Sequence, residues 1–387
     1  MNSSIRCQFP ALLAVTFVLH APAAAAATEK MVYYFCSRQS CADGGTPSAG
    51  LIDLAGTLYG TASSGGAYYS AGTLFALDPN TRTETVLHSF GSAGDGQYPD
   101  TDLLAVNGTL YGVTTQGGAY EFGTVYALDL ATGAETVLHS FGSRGDGVYP
   151  GAGVIDVGGK LYGTAYQGGV HDLGIVFSIN PNTGAEKVVY SFGSGTDGYF
   201  PDAPMLNVKG TLYGTTSQGG AHDEGTVFSL DHKTGAEKVL YSFCGQQNCA
   251  DGDTPSGALI DVNGLLYGTT GGGGTDDVGT VFSLDPATGA ESVLYSFQSN
   301  GTDGNLPTGL VFIKGTFYGV TRGGGVYNGG TVFAIDSGTG AESVLYPFEE
   351  SGGYYPNVGL TKLGRALFGT TYLGGGHASG AVFKIRP

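Results

Sequence analysis

Residues 212–243 read LYGTTSQGGAHDEGTVFSLDHKTGAEKVLYSF, and the same order of segments returns along the whole 387-residue chain. The aromatic of LYG recurs at Tyr59, Tyr111, Tyr162, Tyr213, Tyr267, Tyr318 and, as phenylalanine, Phe368, at spacings of 50 to 54 residues. Each copy passes through an apolar segment such as Leu103 to Val106, a glycine-containing turn, the LYG run, a Gly-Gly loop and a GTVF run. A TGAE turn, a V-L-(His/Tyr)-S-F run and a loop bearing D-G-x-x-P then follow. Short β-branched and aromatic runs bounded by turn residues read as strands, so each copy supplies four. A period of this length, sustained along a chain, is the signature of a repeat architecture.

The turns agree with the strands. Asn107-Gly108 and Asn263-Gly264 suit the positive φ angles of a type I′ hairpin, which pairs the first two strands of a copy. Asp285 to Glu291 represents the D-x-x-T-G-A-E turn, where Asp bonds nearby backbone and Gly takes the left-handed position; it pairs the third and fourth. A lone four-stranded meander cannot bury both faces, so the copies must stack sheet on sheet, and a closed ring leaves no exposed end. The last copy stops after its third strand, Gly380 to Ile385. The missing fourth lies at the other end, where Glu29 to Cys36 (EKMVYYFC) matches Glu237 to Cys244 (EKVLYSFC). The expected fold is all-β: a seven-bladed β-propeller with four antiparallel strands per blade, closed three-plus-one by the N-terminal strand, with residues 28–387 as a single domain.

The composition agrees, with 70 glycines, 24 tyrosines, 20 phenylalanines and no tryptophan. A net charge of −17 repels phosphate backbones, so nucleic acid is not an expected partner. Residues 1–27 read as a signal peptide, with Arg6, the apolar run Ala11 to Leu19 and small residues ending near Ala27, which predicts a secreted or periplasmic product. That run is too short to cross a bilayer and no later stretch is long enough. Cys36, Cys41, Cys244 and Cys249 form two identically spaced pairs, FCSRQSCADG and FCGQQNCADG. In an oxidising compartment they read as disulfides Cys36–Cys41 and Cys244–Cys249; a four-thiolate zinc site is the rival reading.

Residues 212–243 resemble the GloVer-type tandem repeat of exported bacterial proteins, whose members carry varied cell-surface anchors, and the resemblance extends over nearly all of residues 29–387. The Gly-Gly after the second strand also resembles kelch repeats, although the tryptophan of kelch third strands is absent. The resemblance implies an exported bacterial protein and no settled activity. No anchor is expected from FKIRP, which directly follows the last strand.

In a propeller the Gly-Gly and D-G-x-x-P loops share the face where ligands usually sit. Asp-Gly occurs at Asp43, Asp95, Asp146, Asp197, Asp251 and Asp303, with Gly352-Gly353 in the seventh copy, so a repeated turn is the plainer reading and calcium the functional one. The Gly-Gly loops vary more: Tyr68-Tyr69, Tyr120-Glu121, His171-Asp172, His222-Asp223-Glu224, Asp276-Asp277, Tyr327-Asn328 and His377. His171, Asp172, His222, Asp223, Glu224, Asp276 and Asp277 are therefore candidates for a divalent metal or acid–base chemistry, against a reading as solvated loop polarity. The second strands end in Ser63, Thr115, Tyr166, Ser217, Gly271, Arg322 and Tyr372. Among them Arg322, with Tyr166 and Tyr372, could hold a carboxylate or a sugar stacked on an aromatic, against a local ion pair. His88 and His139 occupy a fourth-strand slot otherwise held by tyrosine, which reads as structural. No G-x-S-x-G occurs, and Gly193-x-Gly195-x-x-Gly198 has no helix after it.

No cofactor is evident, with calcium or another divalent metal the open case, and a monomer is expected. The functional reading is a binding module for a glycan or an envelope or extracellular protein partner. The alternatives are a structural repeat protein without a small-molecule site and a metal-assisted hydrolase or lyase.

Overall fold

A computed structural model describes residues 28–387 apart from 69, 143 and 144; the signal-peptide expectation and Tyr69 lie outside the described residues. Seven four-stranded antiparallel sheets form a ring. In the fourth blade, Leu206–Val208, Thr211–Thr216, Thr226–Asp231 and Glu237–Ser242 follow one another as a meander. Asn107 and Asn263, and the glycines after them, have the positive φ angles of the expected hairpin turns. Gly289 N donates to Asp285 O, closing the other hairpin.

Closure is three-plus-one. Thr28–Tyr34 runs antiparallel to Ala381–Arg386, from Thr28 opposite Arg386 to Tyr34 opposite Ala381. The two ends of the chain therefore share the seventh blade, which leaves that blade no unpaired third-strand edge.

Two residues of the repeat explain how blades stack. The last Phe of each fourth strand (Phe35, Phe90, Phe141, Phe192, Phe243, Phe297, Phe348) is fully buried. Each meets, edge to face, the aromatic of the next blade's third strand (Phe75, Tyr126, Phe177, Phe228, Phe282, Phe333, Phe383), with centroids 4.9–5.1 Å apart. That third-strand ring lies across the glycine of LYG: a Cβ on Gly163 or Gly319 would come within 2.4 Å of it. The glycine of LYG is thus a space requirement, not a turn. Seven apolar clusters result, one at each blade junction.

The first strands face the axis, where a central channel of about 470 Å³ takes lining residues from all seven blades, among them Ser48, Asp100, Gly151, Asp202, Ser256 and Asn357. No helix among the described residues is long and apolar enough to cross a membrane. Both expected disulfides are present, Cys36–Cys41 and Cys244–Cys249.

Candidate functional site

The Asp-Gly carboxylates turn inward. Asp43, Asp95, Asp146, Asp197, Asp251 and Asp303 are at most 7% exposed. Each takes a bond from the fourth-strand slot: Tyr33, Tyr190, Tyr241 and Tyr295 donate from the hydroxyl at 2.7–2.8 Å, and Nε2 of His88 and His139 stands at 2.9 Å. The slot is structural, as its repetition implied. A carboxylate bound this way serves the junction, in keeping with the repeated structural role read from the sequence, and in the second, third, fourth and sixth of these copies it also accepts from the N–H of the glycine that follows it.

The glutamate of each TGAE-type turn completes the junction from the next blade. Glu84, Glu135, Glu186, Glu237 and Glu291 are pushed up to about 7 and Glu342 to about 8, in each case chiefly by burial. Glu29 is raised for the same reason. Every one of the seven has a buried Oε1 without a hydrogen-bond partner. Burial disfavours the charged form of each of these acids; at the first junction Glu84 also meets a cation, Arg38 Nη2 at 2.8 Å from its Oε2. At the disulfide-bearing junctions the small loops wrap the aspartate, with Ser37 and Arg38 N–H donating to Asp43, and Gly245 and Gln246 N–H donating to Asp251.

Among the described residues one trio of possible metal ligands lies within 4.8 Å: His88, Asp95 and Glu135. It is the junction just described, with His where other junctions have Tyr, and the carboxylate hydrogen bond is the same in both.

The predicted loop residues do not join in such a group. Asp172 and Asp277 accept the N–H groups of Gly168 and Gly273 in their own loops. Asp223 accepts from the Tyr199 hydroxyl and Asp276 from Ser299 N–H. Glu224 is raised by burial and by Asp253, Asp223 and Asp277, so the acids of the fourth and fifth blades crowd one another. His171 and His222 stay at exposed tips.

The mouth has a feature of its own. The residue before each D-G-x-x-P proline is left-handed in all seven blades, at φ 50–60°: Thr46, Tyr98, Tyr149, Phe200, Thr254, Leu306 and Tyr355. Such a residue costs on the order of 1–3 kcal/mol. The surroundings hold it there: Tyr98 N–H donates to Ala71 O of the preceding blade, while Tyr98 O accepts from Thr115 N–H, the end of its own second strand. Tyr149 and Phe200 repeat the arrangement with Tyr166 and Ser217. The corner thus sets the pre-proline side chain beside the last residue of the second strand.

Between the sixth and seventh blades those two positions make a groove. About 530 Å³ is lined by Arg322, Tyr355, Tyr372, Asn305, Asn328 and Asn357, with Leu306, Gly323 and Leu373. Tyr355 and Tyr372 are each 39% exposed. Arg322, expected either in an ion pair or open to a ligand, has no ion pair among the described residues. Tyr166, the third predicted aromatic, instead stacks on Phe200 at 4.6 Å. An adjoining cavity of about 490 Å³ shares Asn305 and Asn328 and reaches Tyr327.

The Gloeobacter/Verrucomicrobia repeat matches residues 24–212 and 143–314, more than half of the chain. The chain belongs to this family. Members of this fold are widespread among solved structures. An oligogalacturonate lyase in complex with manganese aligns at TM-score 0.57 and 13% identity, over 94% of this chain and 98% of that one. The extracellular domain of BT4673 from B. thetaiotaomicron aligns at TM-score 0.60 and 12% identity, over 93% of this chain and 42% of that one. At these identities the likeness extends to the fold alone. No curated protein matches the chain.

Sequence reading missed Tyr355 and Asn357, and also the channel carboxylates. Asp100 accepts from Ser48 Oγ at 2.7 Å and Asp102 from Gly50 N–H at 2.6 Å, which tie the second blade to the first. Burial raises both, and Asp202 with them. Asp202 is open to the lumen yet ringed by protein. The available signal was departure from small residues at equivalent positions, Gly151 and Ser256 for Asp100 and Asp202, and Gly50 and Gly153 for Asp102.

Proposed function

We propose that the protein is a non-catalytic binding module that holds a carbohydrate in the groove between its sixth and seventh blades. The observation that carries this reading is the convergence of two half-exposed tyrosines, three asparagines and one arginine on one concavity of a size that suits a small ligand. Tyrosine rings offer flat apolar faces to a sugar, and carboxamides both donate to and accept from hydroxyls. The site stands where the repeat is least regular, and a single ligand breaks sevenfold symmetry in that way.

The two disulfides fit an extracellular or periplasmic setting, in keeping with the signal peptide expected at residues 1–27. An enzyme reading would need His171, His222 and the loop carboxylates to act together; Asp172, Asp223, Asp276 and Asp277 each accept a hydrogen bond in or beside their own loops, which favours the binding reading. A protein partner is a second reading, favoured by exposed Tyr68, Tyr120, Val170, Val326 and Tyr327 on the loop tips.

A glycan array probed with the wild type and with Tyr372→Ala tests the proposal. We expect wild-type hits that the substitution weakens at least tenfold. A clean negative array, with a protein captured on the rim tyrosines instead, would favour the second reading.

A further inference from the structure

The geometry points to a charged ligand: we infer that the groove takes a carboxylate-bearing sugar, a uronate residue of a polysaccharide, with Arg322 holding the carboxylate. This rests on the carbohydrate reading above and adds the ligand's charge and its polymeric character.

Arg322 is exposed, and the groove's lining contains no Asp or Glu. In a chain with 33 acidic residues against 16 basic ones, an acid-free hollow around one cation is a marked local inversion of charge. The inversion belongs to one blade. At the equivalent second-strand ends the other blades have Ser63, Thr115, Tyr166, Ser217, Gly271 and Tyr372, so no demand of the fold places arginine there. Gly323 follows it, and a Cβ on that glycine would stand 2.4 Å from Asn305 Oδ1. Glycine thus leaves room for the Asn305 side chain to lie across the strand, in the lining that it shares with Arg322.

The chemistry narrows the anion. A guanidinium presents parallel N–H donors in a plane, which matches a planar carboxylate with two hydrogen bonds. One cation with no lysine beside it is poorly matched to a phosphate dianion. Tyr355 and Tyr372 flank the position as apolar faces for the ring, and Asn305, Asn328 and Asn357 remain for the hydroxyls. The adjoining cavity shares Asn305 and Asn328 and ends at Tyr327, which is 61% exposed. Its one carboxylate, Asp303, is 5% exposed and accepts from the Tyr295 hydroxyl, so it is turned into the junction. The two cavities meet at Asn305 and Asn328, which gives an oligosaccharide contacts beyond those a single sugar would reach.

The test is calorimetric titration of the mature protein with a uronate trisaccharide, its methyl ester and a sulfated neutral trisaccharide. The ester keeps the rings and removes the charge. We expect the uronate to bind at least tenfold more tightly than the ester. Arg322→Gln should erase that preference while leaving weak ester binding, and Tyr372→Ala should weaken both ligands. Equal binding of uronate and ester, still sensitive to Tyr372→Ala, would overturn the charge assignment and leave the carbohydrate reading standing. Tighter binding of the sulfated sugar would also overturn it. No binding of any sugar would remove both. Because Arg322 is exposed and in no ion pair among the described residues, its variant should fold, and an unchanged far-ultraviolet circular dichroism spectrum confirms that each comparison is of folded protein.

Discussion

Six blade junctions and the junction between the sixth and seventh blades come from one repeat, and the last departs from the six at the aspartate. In the six, a buried aspartate receives the fourth-strand Tyr or His. In the remaining one that position is Gly352, and Tyr346 faces Glu29 directly. The Arg322 groove lies over this same junction. Where the residues repeat they are consumed by blade packing, and where the repeat lapses a groove with exposed Arg322, Tyr355 and Tyr372 opens, the site proposed above for a ligand. Each prediction below breaks or sharpens that contrast.

The largest effect comes from the strand on which every junction depends. Deleting residues 28–35 removes Val32 and Phe35, both buried, and uncovers the edge of Ala381–Arg386. Loss of a cooperative unfolding transition and high-mass species on size exclusion are expected; a monomer with a sharp transition would contradict ring closure. Next, Asp197→Ala leaves Tyr190 Oη and the Gly193 and Gly198 N–H groups without their acceptor. An unsatisfied buried group costs about 1–3 kcal/mol, so the urea midpoint should fall by an amount in that range. Reducing both disulfides should cost about 2 kcal/mol each, because each closed loop is small.

The glutamates supply a pH signature. Their folded-state pKa values are raised from the usual 4.5 to about 7 or 8. A raised acid binds its proton more tightly in the folded state, so this contribution is full below pH 4.5 and is lost as pH rises through 7 to 8. Thermal midpoints should therefore fall between pH 5 and pH 8.5. Glu342, raised first by burial and then by Asp303, is the sharpest single probe. Glu342→Gln, which mimics the protonated acid, should raise the midpoint at pH 8.5 and leave it nearly unchanged at pH 5. The smallest effect is a gain: Gly352→Asp restores the missing member. A Cβ there stands 3.8 Å from Tyr346 Oη, with Met31 Cε at 3.4 Å. Stability should rise by about 0.5–1.5 kcal/mol, the net worth of one hydrogen bond, measured at pH 5, where the raised Glu29 opposes the new carboxylate less than at neutral pH.

Much of the fold was legible in the chain because its signals are local or repeated. Asn107-Gly108 announces its hairpin, and EKMVYYFC against EKVLYSFC announces the offset closure. The junction chemistry was not legible. Tyr190, Asp197 and Glu237 meet only once two blades stack, and nothing short-range tells a buried aspartate from a surface turn. The groove was half legible: Arg322 and Tyr372 stood out as departures from the repeat. Tyr355 did not, because its exposure depends on a left-handed corner that no neighbouring residue demands. The His171 and His222 loops varied just as visibly, yet their carboxylates bond within or beside their own loops, so variability alone did not distinguish a site from a solvated tip.

The most direct test of the central claim is a crystal structure of residues 28–387 soaked with a uronate trisaccharide. The account predicts ligand density between the sixth and seventh blades, with a carboxylate on Arg322 and a ring against Tyr355 or Tyr372. Density confined to the axial channel beside Asp100 and Asp202, or to the His171 and His222 loops, would contradict it.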